Sequence, residues 1–374
     1  MIIKNVQIFR ENRTFTKGDI IMHNGKFAGI SLQNEKVTDG HGWYAIPGLI
    51  DIHFHGCAGY YFCDGTKEAL DHITAYEASV GVTGICPASM TIEESRLYQV
   101  MKNAGEYTCR SGAKLYGIHM EGPFISEEKK GAQAAEYICI CNLKLYHKLQ
   151  AASGGKIRIV DIAPETEGAM PFIAAVKDEV VISLAHTTAD YDTAMEAFAS
   201  GASHVTHLFN AMPPFQHREP GVIGAAADTT ECRVELICDG IHVHPSVVRA
   251  AFSLFGPDRI ILISDSMRAT GLTDGQYTLG GQNVRVQGKL ATLNDGTIAG
   301  SVTNLMACVQ TAVKQTGIPL ADAVACATVN PAKEIGIYDH CGSITPGKDA
   351  DLVLLDENLQ VRAVYINGIL QEDA

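Results

Sequence analysis

Six side chains of this sequence stand where they could together hold a metal ion: His53 and His55, with one residue between them, and then Glu121, His186, His207 and Asp265. Imidazole and carboxylate bind zinc and the other divalent first-row metals, provided that several of them converge on one point. Residues so far apart in sequence converge only if the fold brings them together. What the pattern is worth therefore depends on the elements that carry them. His53 and His55, two apart on a strand, share one face.

Those elements can be read from the hydrophobic pattern. Apolar, β-branched runs recur at 48–55, 82–88, 114–121, 156–163, 180–186, 203–208, 233–239 and 259–265. Near-continuous runs of this length suit strands buried on both faces of a parallel sheet. Between them lie stretches of helical character, among them 66–80, 93–110, 136–152, 189–200 and 244–254. Eight alternating units predict an α/β fold, a (β/α)8 TIM-type barrel over 48–342. An open doubly wound sheet is the alternative, but no GxGxxG follows the first run. In the barrel all six candidate ligands fall at the C-terminal mouth, where that architecture places its active sites. A single histidine at a strand end is usually structural. Six suitable residues at the same end of five strands predict a metal site.

The two ends of the chain read differently. Residues 1–47 and 343–374 carry short β-rich runs with Asn24-Gly25 and Asn367-Gly368 as hairpin signals. Neither piece could form a stable sheet alone, so both termini are expected to pair into one small β-sandwich domain beside the barrel. A third β-rich stretch, about 276–297, has turns at Gly280-Gly281, Gln287-Gly288 and Asp295-Gly296, and predicts a hairpin excursion after the eighth strand.

Composition excludes some functions. The 374 residues carry 29 Lys+Arg against 42 Asp+Glu, a formal charge of −13 without a basic cluster, which argues against a nucleic-acid partner. No stretch approaches the 18 or so apolar residues of a membrane span, which argues against a membrane protein. Met1-Ile2-Ile3-Lys4 meets a charge too early for a secretory signal, so a cytoplasmic location is expected. Eleven cysteines without a CxxC pair (Cys139-x-Cys141 comes nearest) read as reduced thiols.

Several motifs carry a resemblance. Residues 47–56, from Pro47-Gly48 through His53-Phe54-His55-Gly56, resemble the first-strand signature of the amidohydrolase superfamily. Within it, Glu121-Gly122-Pro123, Lys130-Gly131-Ala132, Thr206-His207-Leu208-Phe209-Asn210-Ala211-Met212, Asp239-Gly240-Ile241-His242, Asn330-Pro331-Ala332 and 342–353 resemble the N-acetylglucosamine-6-phosphate deacetylases, nearly end to end. The resemblance implies metal-dependent hydrolysis of N-acetyl-D-glucosamine 6-phosphate to D-glucosamine 6-phosphate and acetate. Glu121, His186 and His207 would hold the principal divalent metal, and His53 and His55 a second. That makes one or two ions per subunit, with Zn, Fe, Mn and Co all compatible. No lysine closes the fourth run, which ends in Ala163-Pro164, so Glu121 becomes the natural bridge. Asp265 would take the proton of the attacking water and return it to the departing amine. Its alternative is a cap or supporting carboxylate within Ser264-Asp265-Ser266.

Substrate contacts carried over from the family fall on Ala132, Asn210, Ala211, Arg218, His242, Ile298, Ala299 and Gly300. Arg218 and His242 would meet the phosphate. In the family that arginine crosses a dimer interface, so a homodimer is expected in which Arg218 reaches the neighbouring subunit's site. Gln133 departs from the pattern, because members often carry His there and Gln can serve only as a neutral donor. His119 and His204 could support the site or simply pack in the core. Three other readings stay open: the galacto epimer as substrate, another amidohydrolase reaction, and a non-catalytic binding protein on the same fold.

Overall fold

A computed structural model describes residues 1–30 and 36–371. Its centre is a set of short parallel strands: Leu49–Asp51, Val82–Ile85, Lys114–Leu115 with Ile118–Met120, Ile157–Ile162, Val181–Leu184, His204–Val205, Arg233–Ile237 and Ile260–Ile263. Val82–Ile85 and Ile260–Ile263 are buried at every position, which is why these runs are continuously apolar instead of alternating. Six strands, from Ile118–Met120 to Ile260–Ile263, pair in chain order as one parallel sheet. Leu49–Asp51, Val82–Ile85 and Lys114–Leu115 form a second sheet of three. The third run thus serves both sheets and breaks at Gly117. A Cβ there would stand 2.3 Å from Arg158 Cγ and 3.0 Å from Cys86 Sγ. Backbone hydrogen bonds cross both seams. Ser89 donates to the His119 carbonyl (2.9 Å) and Asp265 to the His53 carbonyl (3.0 Å).

Helices follow the strands, and their starts are chemically marked. The side chains of Thr66, Asn142, Asp190 and Asn304 accept the backbone N–H three residues on, at the heads of Lys67–Ser79, Leu143–Ala152, Tyr191–Ser200 and Leu305–Lys314. The stretch 136–152 therefore holds the end of a 3-10 turn, Ala135–Tyr137, and is α-helical only from Leu143, after the extended Asn142 that caps it.

Both chain ends meet in one sheet, since Leu352–Leu355 pairs antiparallel with Tyr44–Pro47. Among the described residues its strands form one continuous sheet of eight. The reason lies in Ile2–Arg10. It pairs with Thr14–His23 along one edge and with Val37–Asp39 and Tyr44–Pro47 along the other. The far strand, Lys26–Ala28, returns to the segment ahead of Leu352, where Phe27 N–H donates to the Lys348 carbonyl at 2.9 Å. Ile3, Val6, Ile8, Ile20, Phe27 and Leu352 fill the interior of this sheet. A separate antiparallel trio, Gly275–Leu279, Gln282–Gln287 and Leu290–Thr292, turns at Gly280-Gly281 and Gly288, all with positive φ. All eleven cysteines are free thiols.

The glycine after the paired histidines has a steric reason. Gly56 pairs with Tyr61 in a tight hairpin, and a Cβ on it would lie 2.2 Å from the Tyr60 carbonyl oxygen and 3.0 Å from Tyr61 Cα. Both are backbone atoms that cannot rotate away. Gly56→Ala is expected to cost about 1–3 kcal/mol, as overpacking usually does. The check is a lower urea midpoint at unchanged slope in equilibrium unfolding.

Candidate metal centre

The strand ends bring the six candidate ligands together, and all are buried. Glu121 stands at the middle. Its Oε1 lies 3.0 Å from His186 Nε2, 3.2 Å from His207 Nε2 and 3.6 Å from His53 Nε2. Its Oε2 lies 3.2 Å from His55 Nε2, which in turn is 3.3 Å from Asp265 Oδ1. His186 Nε2 and His207 Nε2 are 3.1 Å apart. Two groups of three ligand atoms result, Glu121/His186/His207 and His53/His55/Asp265, each with its atoms within 4.8 Å of one another. Ligand atoms sharing a tetrahedral ion at about 2.1 Å stand about 3.4 Å from each other, so these spacings fit a divalent cation.

The hydrogen-bond partners sharpen the fit. A neutral imidazole has one N–H and one bare nitrogen. His186 Nδ1 faces the Lys129 carbonyl at 2.8 Å, His55 Nδ1 faces the Ala88 carbonyl at 3.3 Å, and His53 Nδ1 faces Glu235 Oε2 at 2.8 Å. All three partners are acceptors, so in the neutral rings the proton belongs on Nδ1 and the bare Nε2 points at the carboxylates. His53 Nε2 has no hydrogen-bond partner at all. Lone pairs aimed at carboxylate oxygens repel unless a cation sits between them, either a proton or a metal.

Without a metal the protons do that work. Burial pushes the imidazole of His55 down, but Glu121 and Asp265 raise it further, to about 10. Burial lowers His207 likewise, and Glu121 lifts it to about 9. Burial raises the Glu121 carboxyl, yet His55 and the hydrogen bonds from His186 and His207 hold it well below the usual carboxylate range. Asp265 is also held low against burial, by His55 and His53, and is a carboxylate at neutral pH.

The backbone pays a conformational cost here. His186, His207 and Asp265 have φ of 44°, 31° and 49°, on the left-handed side of backbone space that residues with side chains visit rarely, His, Asn and Asp less rarely than the rest. Gly122 in Glu121-Gly122-Pro123 sits at φ 79°, and a Cβ would lie 2.1 Å from Thr91 Oγ1.

A cavity of about 550 Å³ opens over the ligands. Ala132, Asn210, Ala211, His242, Ile298 and Gly300 line it together with Asp265, and the 275–292 trio supplies one wall through Leu279. Ala299 lies behind that lining, fully buried, with its N–H on the Ala291 carbonyl. Arg218 is not brought to this cavity. It is exposed, stands 2.7 Å from His217, and borders a separate cavity of about 700 Å³.

The comparisons with known proteins agree with this geometry. The model of the amidohydrolase family matches residues 44–370. The chain belongs to the amidohydrolase family. N-acetylglucosamine-6-phosphate deacetylase of Bacillus subtilis (strain 168) is 40% identical over 380 residues, covering 98% of this chain and 96% of that protein. N-acetylgalactosamine-6-phosphate deacetylase of Escherichia coli O157:H7 is 35% identical, covering 93% of each. Among solved structures, a mutant N-acetyl-D-glucosamine-6-phosphate deacetylase of Mycobacterium smegmatis in complex with N-acetyl-D-glucosamine-6-phosphate superposes with a TM-score of 0.92. Its identity is 30% and the match covers 99% of both chains.

Some members of this amidohydrolase's site have no place in the ligand pattern. Gln133 is buried, and its Oε1 accepts the Thr91 N–H at 2.7 Å. That contact fixes the amide so that Nε2 donates to Glu121 Oε2, also at 2.7 Å. Gln133 therefore orients the central carboxylate. Glu235 and Asp161 are buried acids within apolar runs, bonded to His53 and to His119 respectively. Their signal in the sequence is an acid in the middle of an otherwise apolar strand.

Metal binding must displace the protons held on His55 and His207. Both folded values lie above neutrality, so proton release is expected across the neutral range, and affinity should rise with pH up to about 9–10. Calorimetric titration with zinc in two buffers of different ionisation heat measures this directly. Equal heats in both would contradict it.

Proposed function

We propose that this amidohydrolase is a metal-dependent deacetylase that hydrolyses N-acetyl-D-glucosamine 6-phosphate to D-glucosamine 6-phosphate and acetate. The observation that carries the reading is the convergence of bare imidazole nitrogens and two carboxylates at the floor of a sugar-sized cavity, in a chain 40% identical to such a deacetylase along nearly its whole length. The two parallel sheets are read together as one (β/α)8 barrel over 48–342, supported by the hydrogen bonds across both seams. The paired ends 1–47 and 343–374 are read as the accompanying domain.

Glu121, His186 and His207 would hold one divalent ion, and His53 and His55, with Glu121 beside them, a second. An ion so held supplies the acidity that makes water a nucleophile at neutral pH. Asp265, a carboxylate opening into the cavity, accepts the proton from the attacking water and delivers it to the nitrogen of the breaking amide. His242 is held by Asp239 Oδ2 at 2.8 Å and lines the cavity, where it would meet the phosphate. Asn210, Ala211, Ala132, Ile298 and Gly300 shape the sugar pocket between, with Ala299 backing them. The exposure of Arg218 on its own loop supports a homodimer in which each copy lends this guanidinium to the other's phosphate site.

Acetate release from purified, metal-loaded protein tests the reading. Rapid release from the gluco substrate supports it. Strong preference for the galacto epimer would keep the chemistry and change the substrate, and no release from either would overturn the proposal. Asp265→Asn is expected to keep its metal and lose about 10²–10⁴ in kcat, the range of a lost general base. Arg218→Ala is expected to lose about 10–100-fold in kcat/KM on the phosphorylated sugar, as one charge-assisted contact is worth, and far less on the unphosphorylated one. Equal losses would remove Arg218 from the phosphate.

A further inference from the structure

Glu235 has no part in the reaction above, yet it is a fully buried carboxylate in the strand Arg233–Ile237 at the heart of the barrel. Burying an unpaired charge there would cost several kcal/mol, so its partners must be specific. Oε2 faces His53 Nδ1 at 2.8 Å and accepts the backbone N–H of His207 at 3.2 Å. Oε1 lies 3.3 Å from His204 Nε2 and 3.6 Å from His119 Nδ1. The remaining faces of those two rings are taken as well. His204 Nδ1 meets Glu334 Oε1 at 2.8 Å, and His119 Nε2 meets Asp161 Oδ1 at 2.9 Å.

We infer that Glu235 is a positioning residue for the second ion: its Oε2 holds the proton of His53 on Nδ1, which leaves Nε2 bare and aimed at the space between Glu121 and Asp265. This rests on the two-ion reading under Proposed function. His53 Nε2 is 3.6 Å from Glu121 Oε1 and 3.9 Å from Asp265 Oδ1, too far for a hydrogen bond to either and without any other partner. A ring protonated on Nε2 would present N–H to that space, and a flipped ring would present C–H; either would lose the ion. His186 and His55 obtain the same orientation from main-chain carbonyls, at Lys129 and Ala88. His53 alone of these three obtains it from a side chain, and so can be tested without touching the backbone.

Two donors, His53 Nδ1–H and the His207 N–H, meet at Oε2. A glutamine would therefore turn its carbonyl oxygen to the same place, so Glu235→Gln should preserve the orientation, whereas Glu235→Leu removes the acceptor. The experiment is equilibrium dialysis of the full-length protein against zinc, with metal counted per chain and the two dissociation constants fitted separately. The expected result is two ions in the unaltered protein. In Glu235→Leu the second should weaken by about 10–100-fold, as loss of such a partner usually costs, and the first by much less, through the lost acceptor of the His207 N–H. Glu235→Gln should restore most of that loss. Equal weakening of both ions, or no weakening, would overturn the inference, since either would make Glu235 structural or idle. One ion per chain in the unaltered protein would also overturn it. That outcome would leave the deacetylase reading intact, because the proposed hydrolysis is compatible with one ion per subunit, held by Glu121, His186 and His207. Should the leucine variant fail to fold, the ¹⁵N-histidine spectrum of the zinc-loaded, unaltered protein decides. His53 protonated on Nδ1 supports the inference, and His53 protonated on Nε2 overturns it.

Discussion

One interaction organises this molecule: a buried, acceptor-only carboxylate, Glu121, faced by the Nε2 atoms of four imidazoles. Coulomb attraction at 3.0–3.6 Å favours the arrangement only while positive charge lies between the partners. Without it, bare lone pairs confront each other in a space with little water to screen them. The surroundings serve this requirement. Carbonyls and Glu235 orient three of the rings, and Gln133 fixes the carboxylate through a contact that Thr91 makes unambiguous.

The fold supplies the convergence. Parallel strands buried on both faces all point one way, so residues at their ends meet at one mouth although up to about two hundred residues separate them. The turns that leave those ends are strained at His186, His207 and Asp265. Rigid strands behind and a packed hairpin in front keep that strain in place, which is how sites of this kind hold geometry that loose loops would release.

Much of this was legible in the sequence, for a physical reason. Histidines and acids at the ends of apolar runs are costly to bury, so the fold must have a use for them, and their common position at strand ends announced a shared site. The supporting residues were less legible. Glu235 and Asp161 were passed over, although an acid within an apolar strand is a signal, and which imidazole each meets depends on strand order and register. Gln133 could be noticed as a departure from a resemblance, while its grip on Glu121 depends on the Thr91 N–H, 42 residues away. The terminal domain was legible as a pairing of both ends. Its form as one continuous sheet was not, because Ile2–Arg10 uses both of its edges, and edge use is set by packing. Arg218 was carried over by motif alone, and among the described residues no element of its own chain brings it to the cavity.

The geometry calls above all for a metal ion among Glu121, His186 and His207. The most direct test is an anomalous-difference map, at the absorption edge of the metal supplied, from crystals of the loaded protein. The expected result is a peak within about 2.0–2.3 Å of Glu121 Oε1, His186 Nε2 and His207 Nε2. A well-ordered site without a peak there, with the same side chains bonded directly to one another, would contradict the account.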